Sequence, residues 1–216
     1  LAAWLLYILF KVIIFIARGK RSGSKKAALQ RKSYNLAVVL CLLYIIFNLF
    51  WGINYNRKGV AWQLNLSDTM YSSADLKQLN GLLVQKVNVA KQSLLQNNDK
   101  YPGQSELFIG VADAYTQLEK QYPFLRYRNH SIKASFWSMV GNYGGFTGYY
   151  NPFTGEAQVN TTVPSFIQPF TACHEVGHQL GYAKEDEANF VGYLAATASH
   201  DSLFHYSAYL EMFLYA

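Results

Sequence analysis

The sequence predicts an α+β fold: a mainly helical domain with a small antiparallel sheet, carried behind two transmembrane helices. Three observations carry this expectation. Two long apolar runs flank a basic loop within residues 1–58. Apolar positions recur at helical spacing from Ser72 to Leu95 and again after Ser105 and Gln168. Between Ile132 and Thr161 the pattern changes to loose alternation with interleaved Gly and aromatic residues, as strands and their turns require.

The anchor comes first. Residues 1–17 are apolar except for Lys11, and residues 34–55 are apolar except for Asn35, Asn48 and Asn54. A span of about 20 apolar residues crosses a hydrocarbon core of about 30 Å. The second run meets that length. The first is shorter and lacks an initiator Met, so the chain is expected to be a fragment that begins inside its first span. Arg18, Lys20, Arg21, Lys25, Lys26, Arg31 and Lys32 lie between the runs. So basic a loop, residues 18–33, is retained in the cytoplasm. The domain over residues 59–216 is then expected on the extracytoplasmic side, with Trp51 and Tyr55 as interfacial anchors.

Charge follows the same division. Residues 1–58 hold ten Lys or Arg and no acid, whereas residues 59–216 hold nine Lys or Arg against thirteen Asp or Glu. The net charge of +6 therefore belongs to the anchor, and nucleic acid is excluded as a partner of the domain. The bilayer is the expected partner instead. Cys41 in a span and Cys173 beside a helix motif cannot reach one another, so no disulfide is expected.

Within the domain, Ser72–Leu95 is predicted as a helix, with Leu76, Leu79, Leu83, Val87 and Ala90 as its stripe. Asn97-Asn98-Asp99 and Pro102-Gly103 break it. A second helix is predicted over Ser105–Gln121, ending before Pro123. Residues 132–139 suit a strand. The stretch Gly141, Gly144, Gly145 and Gly148, interleaved with Tyr143, Phe146, Tyr149 and Tyr150, reads as a loop or strand. Asn151–Glu156 is a turn and Glu156–Thr161 a return strand. Pro169 sits where a first helical turn tolerates it, so a helix is predicted from Gln168, with Gly181 just past its end. Two more helices are predicted, about residues 184–198 and 202–215.

The chemistry lies on the helix beginning at Gln168. His174-Glu175-Val176-Gly177-His178 places two imidazoles about one turn apart on one helix face. Zn²⁺ accepts neutral imidazole and, in catalytic sites, keeps one position open for water. Glu175 is the residue placed to take a proton from that water. A third protein ligand is needed, and Glu185, Asp186 and Glu187 follow. Glu187 shares the inward face of Phe190 and Val191 and is the expected ligand. Glu185, Asp186 or a residue outside this chain are the alternatives. A third His six residues beyond His178 is excluded, since Lys184 stands there.

This string, with Glu185-x-Glu187-Ala188-Asn189-Phe190, resembles the zincin metallopeptidases of the gluzincin type. Locally it is similar to the IrrE/ImmA-like peptidases, whose third ligand is the Glu before an Ala-Asn or Ala-Asp pair; that resemblance implies Glu187. The stretch from Gly148 to Ala195 also resembles a bacterial family of membrane-anchored proteins, known mainly as a domain of unknown function carrying this motif.

The expected function is that of a membrane-anchored zinc metallopeptidase with a zincin-like domain acting on peptide or protein substrates. His174, His178 and Glu187 would hold Zn²⁺, with Glu175 as general base. The hairpin over residues 145–161 would offer a strand edge to a peptide. His200, His205, Tyr206 and Tyr209 are candidate donors to an oxyanion; a further C-terminal part that holds such a donor is the other expectation. The alternatives are a non-catalytic membrane receptor or assembly protein with a structural zinc site, and a two-span membrane protein without metal.

Overall fold

The computed structural model describes Tyr7, Lys11, Ile14 and residues 24–66, 70–97 and 101–216. It forms two compact units, Leu1–Ile53 and Asn54–Ala216.

In the first unit, helix α1 (Lys25–Phe50) is the one described helix long and apolar enough to cross a membrane. Two spans were expected; the other, residues 1–17, lies outside the described residues apart from Tyr7, Lys11 and Ile14. Helix α1 also begins earlier than the apolar run. Lys25, Lys26, Arg31 and Lys32, expected in a loop, lie on its first turns, since Lys and Arg are good helix formers. At 26 residues it is about 39 Å long. Asn48 does not interrupt it, because its side-chain amide donates back to the Tyr44 carbonyl at 2.9 Å. Among its residues only Ile46 is buried.

The second unit runs through a short helix α2 (Val60–Gln63), the long helices α3 (Ser73–Asn97) and α4 (Gln104–Gln121), strand β1 (Ile132–Ala134) and helix α5 (Ser138–Gly144). Strands β2 (Gly148–Asn151) and β3 (Glu156–Val159) follow, then helices α6 (Gln168–Gln179), α7 (Glu185–Ala198) and α8 (Ser202–Tyr215). The domain is thus mainly helical, as its apolar spacing implies.

The sheet is mixed rather than antiparallel. Its order is β1-β3-β2, with β1 parallel to β3 and β2 antiparallel to it. The chain leaves β1 near Val159, folds into α5, and enters β2 at the same end (Gly148 pairs with Val159). Strand β3 then inserts between the two and matches the direction of β1. The strand expected over residues 132–139 stops at Ala134. Ser135 spends its amide on the Val159 carbonyl at 2.7 Å, and its own carbonyl and hydroxyl turn the chain into α5.

Helix α6 lies at the centre, packed on β2 and β3, on α7 and α8, and on α4. Val176 and Cys173 of α6 are fully buried with Val111, Tyr115, Val159, Val191 and Ala195. The Tyr115 hydroxyl donates to the Cys173 carbonyl at 2.7 Å, so this buried phenol is satisfied. Ser207 of α8 ties the start of α6: its hydroxyl accepts from Phe170 N and donates to Ile167 O. Two glycines set the α6–α7 distance. A Cβ on Gly177 would lie 3.3 Å from the Ala188 carbonyl, and one on Gly192 would lie 3.0 Å from the His174 backbone. This close approach delivers the first turns of α7 to the histidines.

Candidate metal centre

His174 and His178 project from α6 with ring centroids 4.7 Å apart and planes at 90°. Both are largely enclosed; the His178 side chain is 8% exposed and the His174 side chain 12%. His178 Nδ1 lies 2.7 Å from the Tyr182 carbonyl, which can only accept. Nδ1 therefore carries the proton, and Nε2 presents its lone pair.

Glu185, at the first turn of α7, closes the group. One carboxylate oxygen lies 3.3 Å from His174 Nε2 and the other 3.4 Å from His178 Nε2. Two donors about 2.0–2.1 Å from one tetrahedral ion stand about 3.3–3.4 Å apart, so these separations fit a shared Zn²⁺. Glu185 is 78% exposed, so this corner faces solvent. The ligand atoms of His174, Glu175 and His178 also lie within 4.8 Å of one another.

The structure thus brings Glu185 rather than Glu187 to the imidazole pair. Glu187 is on the inward side of α7, as its spacing from Phe190 and Val191 implies, but a different neighbour occupies that side. Its carboxylate abuts Gly59 and lies 3.9 Å from Lys184 Nζ. Gly59 belongs to a segment docked across the α6–α7 turn. Arg57 donates to the Leu180 carbonyl and stacks 4.3 Å over the Tyr182 ring, while Tyr182 OH donates to Gln63 at 2.6 Å. That segment holds the turn whose Tyr182 carbonyl sets the His178 tautomer. Asp186 is exposed.

Glu175 is buried at 4% exposure, and its Oε2 has no hydrogen-bond partner among the described residues. Burial pushes its carboxyl up to about 8, against the opposing pull of His174. Burial depresses His178, with His174 adding to it. In His174 the same burial is outweighed by the Glu185 and Glu175 carboxylates and by Asn189, and its basicity is raised.

Several contributors were missed by sequence reasoning. Gly148 of β2 lies against Glu175, where a Cβ would come 2.6 Å from Oε1 and 2.8 Å from Cγ. Gly148→Ala is expected to cost about 1–3 kcal/mol by overpacking, read by chemical denaturation. Asn189 lies one turn before Gly192 and raises the basicity of His174; His174 Nδ1 and Asn189 Oδ1 are both buried without a hydrogen-bond partner among the described residues. From α8, the fields of His174 and Glu185 reach Glu211 and Tyr215 respectively. A signal for Glu211 was available. It continues the buried stripe of Phe204, Ser207 and Ala208 at helical spacing.

The donors expected for an oxyanion pack elsewhere. His205 Nε2 meets the Ser199 carbonyl at 2.7 Å, Tyr206 contacts Phe166 and Lys91, and Tyr209 contacts Tyr193 and Lys86. His200 is exposed. Cys173 is fully buried beside His174 and points into the core.

A protein-family model described as "Protein of unknown function (DUF3810)" matches the chain over residues 1–216. No curated protein matches it, and no solved structure does.

Proposed function

Since the chain belongs to the DUF3810 family, whose description assigns no activity, we propose from the site itself that it is a membrane-anchored zinc-dependent peptidase. The observation that carries the reading is the Glu185 carboxylate standing 3.3 and 3.4 Å from two imidazole nitrogens, beside buried Glu175, whose Oε2 has no partner among the described residues. His174, His178 and Glu185 would hold the ion. Bound there, Zn²⁺ would act as a Lewis acid on a peptide carbonyl and acidify water.

The chain's own residues supply the rest. Glu175 takes a proton from the attacking water as its oxygen bonds to the carbonyl carbon. It returns that proton to the leaving amine as the C–N bond breaks. The Tyr182 carbonyl holds the His178 imidazole in orientation. Gly148 keeps β2 close over Glu175, and β2 is an edge strand among the described strands, where a peptide would add as a further strand. Membrane anchoring rests on α1. The basic residues at its start keep that end in the cytoplasm, so the domain after Phe50 is extracytoplasmic.

The purified chain is expected to contain one zinc per molecule by elemental analysis and to cleave members of an unstructured peptide library, read by mass spectrometry. Chelation should remove the activity and added zinc restore it. Zinc-free chain that still cleaves, or zinc-loaded chain that cleaves nothing in the library, would overturn the proposal.

A further inference from the structure

His178 at the end of α6 and Glu185 at the start of α7 are joined by the short connection over residues 179–184. The path of this connection decides whether the Glu185 carboxylate arrives beside the His178 ring. Gly181, in the left-handed region at φ 91°, turns the chain, and the Tyr182 carbonyl then meets His178 Nδ1 at 2.7 Å. The turn is held from its other side by Arg57, 123 residues before Leu180 in the chain and within the same compact unit.

Arg57 engages both ends of the turn at once. Its Nη1 donates to the Leu180 carbonyl, its Nη2 donates to the Tyr182 hydroxyl at 3.4 Å, and its guanidinium carbon lies 4.3 Å from the centroid of the Tyr182 ring. Leu180 caps α6, where carbonyls lack partners within the helix and a cation is favoured by the helix dipole. Tyr182 is fully buried, and its hydroxyl donates onward to Gln63 at 2.6 Å. A Cβ on Gly181 would come 3.0 Å from Arg57 Nη1, so the residue that turns the chain also leaves room for the guanidinium. A planar fork of donors can bond a carbonyl and stack on a ring together, which an ammonium cannot.

We infer that Arg57 is a positioning residue for the metal centre: by clamping the turn between His178 and Glu185 it keeps the Tyr182 carbonyl on His178 Nδ1 and leaves Nε2 free for the ion. Partners of this outer kind are worth about 10–100-fold in metal affinity. The contribution of Arg57 to catalysis rests on the peptidase reading, whereas the tautomer it imposes on His178 does not.

The test reads the His178 ring nitrogens by NMR in zinc-free, histidine-labelled chain in micelles at alkaline pH, and zinc affinity by competition with a chelator. Wild type is expected to carry the His178 proton on Nδ1 alone. Arg57→Ala should show both tautomers and bind zinc about 10–100-fold more weakly. Free guanidinium ion at a non-denaturing concentration should restore both properties, and sodium chloride at the same concentration neither. Val60→Ala removes a buried side chain of the same segment and leaves the Arg57 contacts in place. It should lower the denaturation midpoint while tautomer and zinc affinity stay as in wild type. A single Nδ1-protonated tautomer or unchanged zinc affinity in Arg57→Ala overturns the inference. So does an equal loss of affinity in Val60→Ala, or a loss in Arg57→Ala that guanidinium does not relieve, since Arg57 would then serve stability alone. Wild-type chain that binds no zinc, yet whose His178 tautomer still follows Arg57, would defeat the peptidase reading and leave the positioning role standing.

Discussion

Glu175→Gln is expected to lower kcat/KM for peptide cleavage by roughly 10²–10⁴-fold while the zinc content stays at one per chain. The substitution keeps the size of the side chain, so the packing against Gly148 is retained. It removes only the capacity to take and return a proton. Because Glu175 is not among the proposed ligands, elemental analysis of the variant separates loss of chemistry from loss of metal. Wild-type activity in the variant would remove Glu175 from the proposed reaction.

The same substitution carries a pH signature. In the folded, zinc-free chain, burial holds the Glu175 proton until about pH 8, whereas the unfolded chain releases it near the ordinary 4.5. Between these values the folded state binds more protons, so its stability is fully present at low pH and falls as pH rises through about 8. Glu175→Gln should flatten this component of the profile and stabilise zinc-free protein at alkaline pH, read as thermal midpoints. Zinc loading should also flatten it, because a nearby dication favours the carboxylate. An unchanged slope in the variant would mean that other groups govern the profile.

Glu185→Ala is expected to weaken zinc binding by more than the 10–100-fold typical of outer-shell partners, whereas Glu187→Ala stays within about tenfold of wild type. The reason is placement. Glu185 meets both Nε2 atoms, and Glu187 meets Gly59. Competition titration against a chromophoric chelator measures both constants. Glu187→Ala should instead loosen the packing of residues 57–63 on the α6–α7 turn, read as a lower denaturation midpoint with zinc present. If Glu187→Ala abolishes binding and Glu185→Ala does not, the ligand expected from the Ala-Asn signature is the correct one and the proposed ligand set is wrong.

Much of the scaffold was legible along the chain. The helix from Gln168, with Pro169 in its first turn and Gly181 after its end at φ 91°, follows from local backbone rules alone. The pairing of His174 with His178 needs only helical geometry. The boundaries of α4, α7 and α8 follow from apolar spacing and from Pro123 and Asp201 at their ends. The parallel pairing of β1 was not legible, because it depends on β3 entering between two strands that precede it. Helix α5 was not legible either. A Gly-rich aromatic stretch has little helical propensity, and it is held by hydrogen bonds from Asn160, beyond β2 and β3 in the chain.

What the chain determined by itself was the inventory: an apolar helix of membrane-crossing length, two imidazoles on one face with a carboxyl between them, and three acids at the head of the next helix. Such features depend on residues within a turn or two of each other. Tertiary structure decided which acid meets the imidazoles, which glycine leaves room for Glu175, and that the fields of the centre reach Glu211 and Tyr215 on α8. Those choices depend on how closely α6 and α7 approach across Gly177 and Gly192, and on residues 57–63 occupying the place where Glu187 points. Helical periodicity assigns a side chain to a face, but only the packed neighbour decides what that face meets.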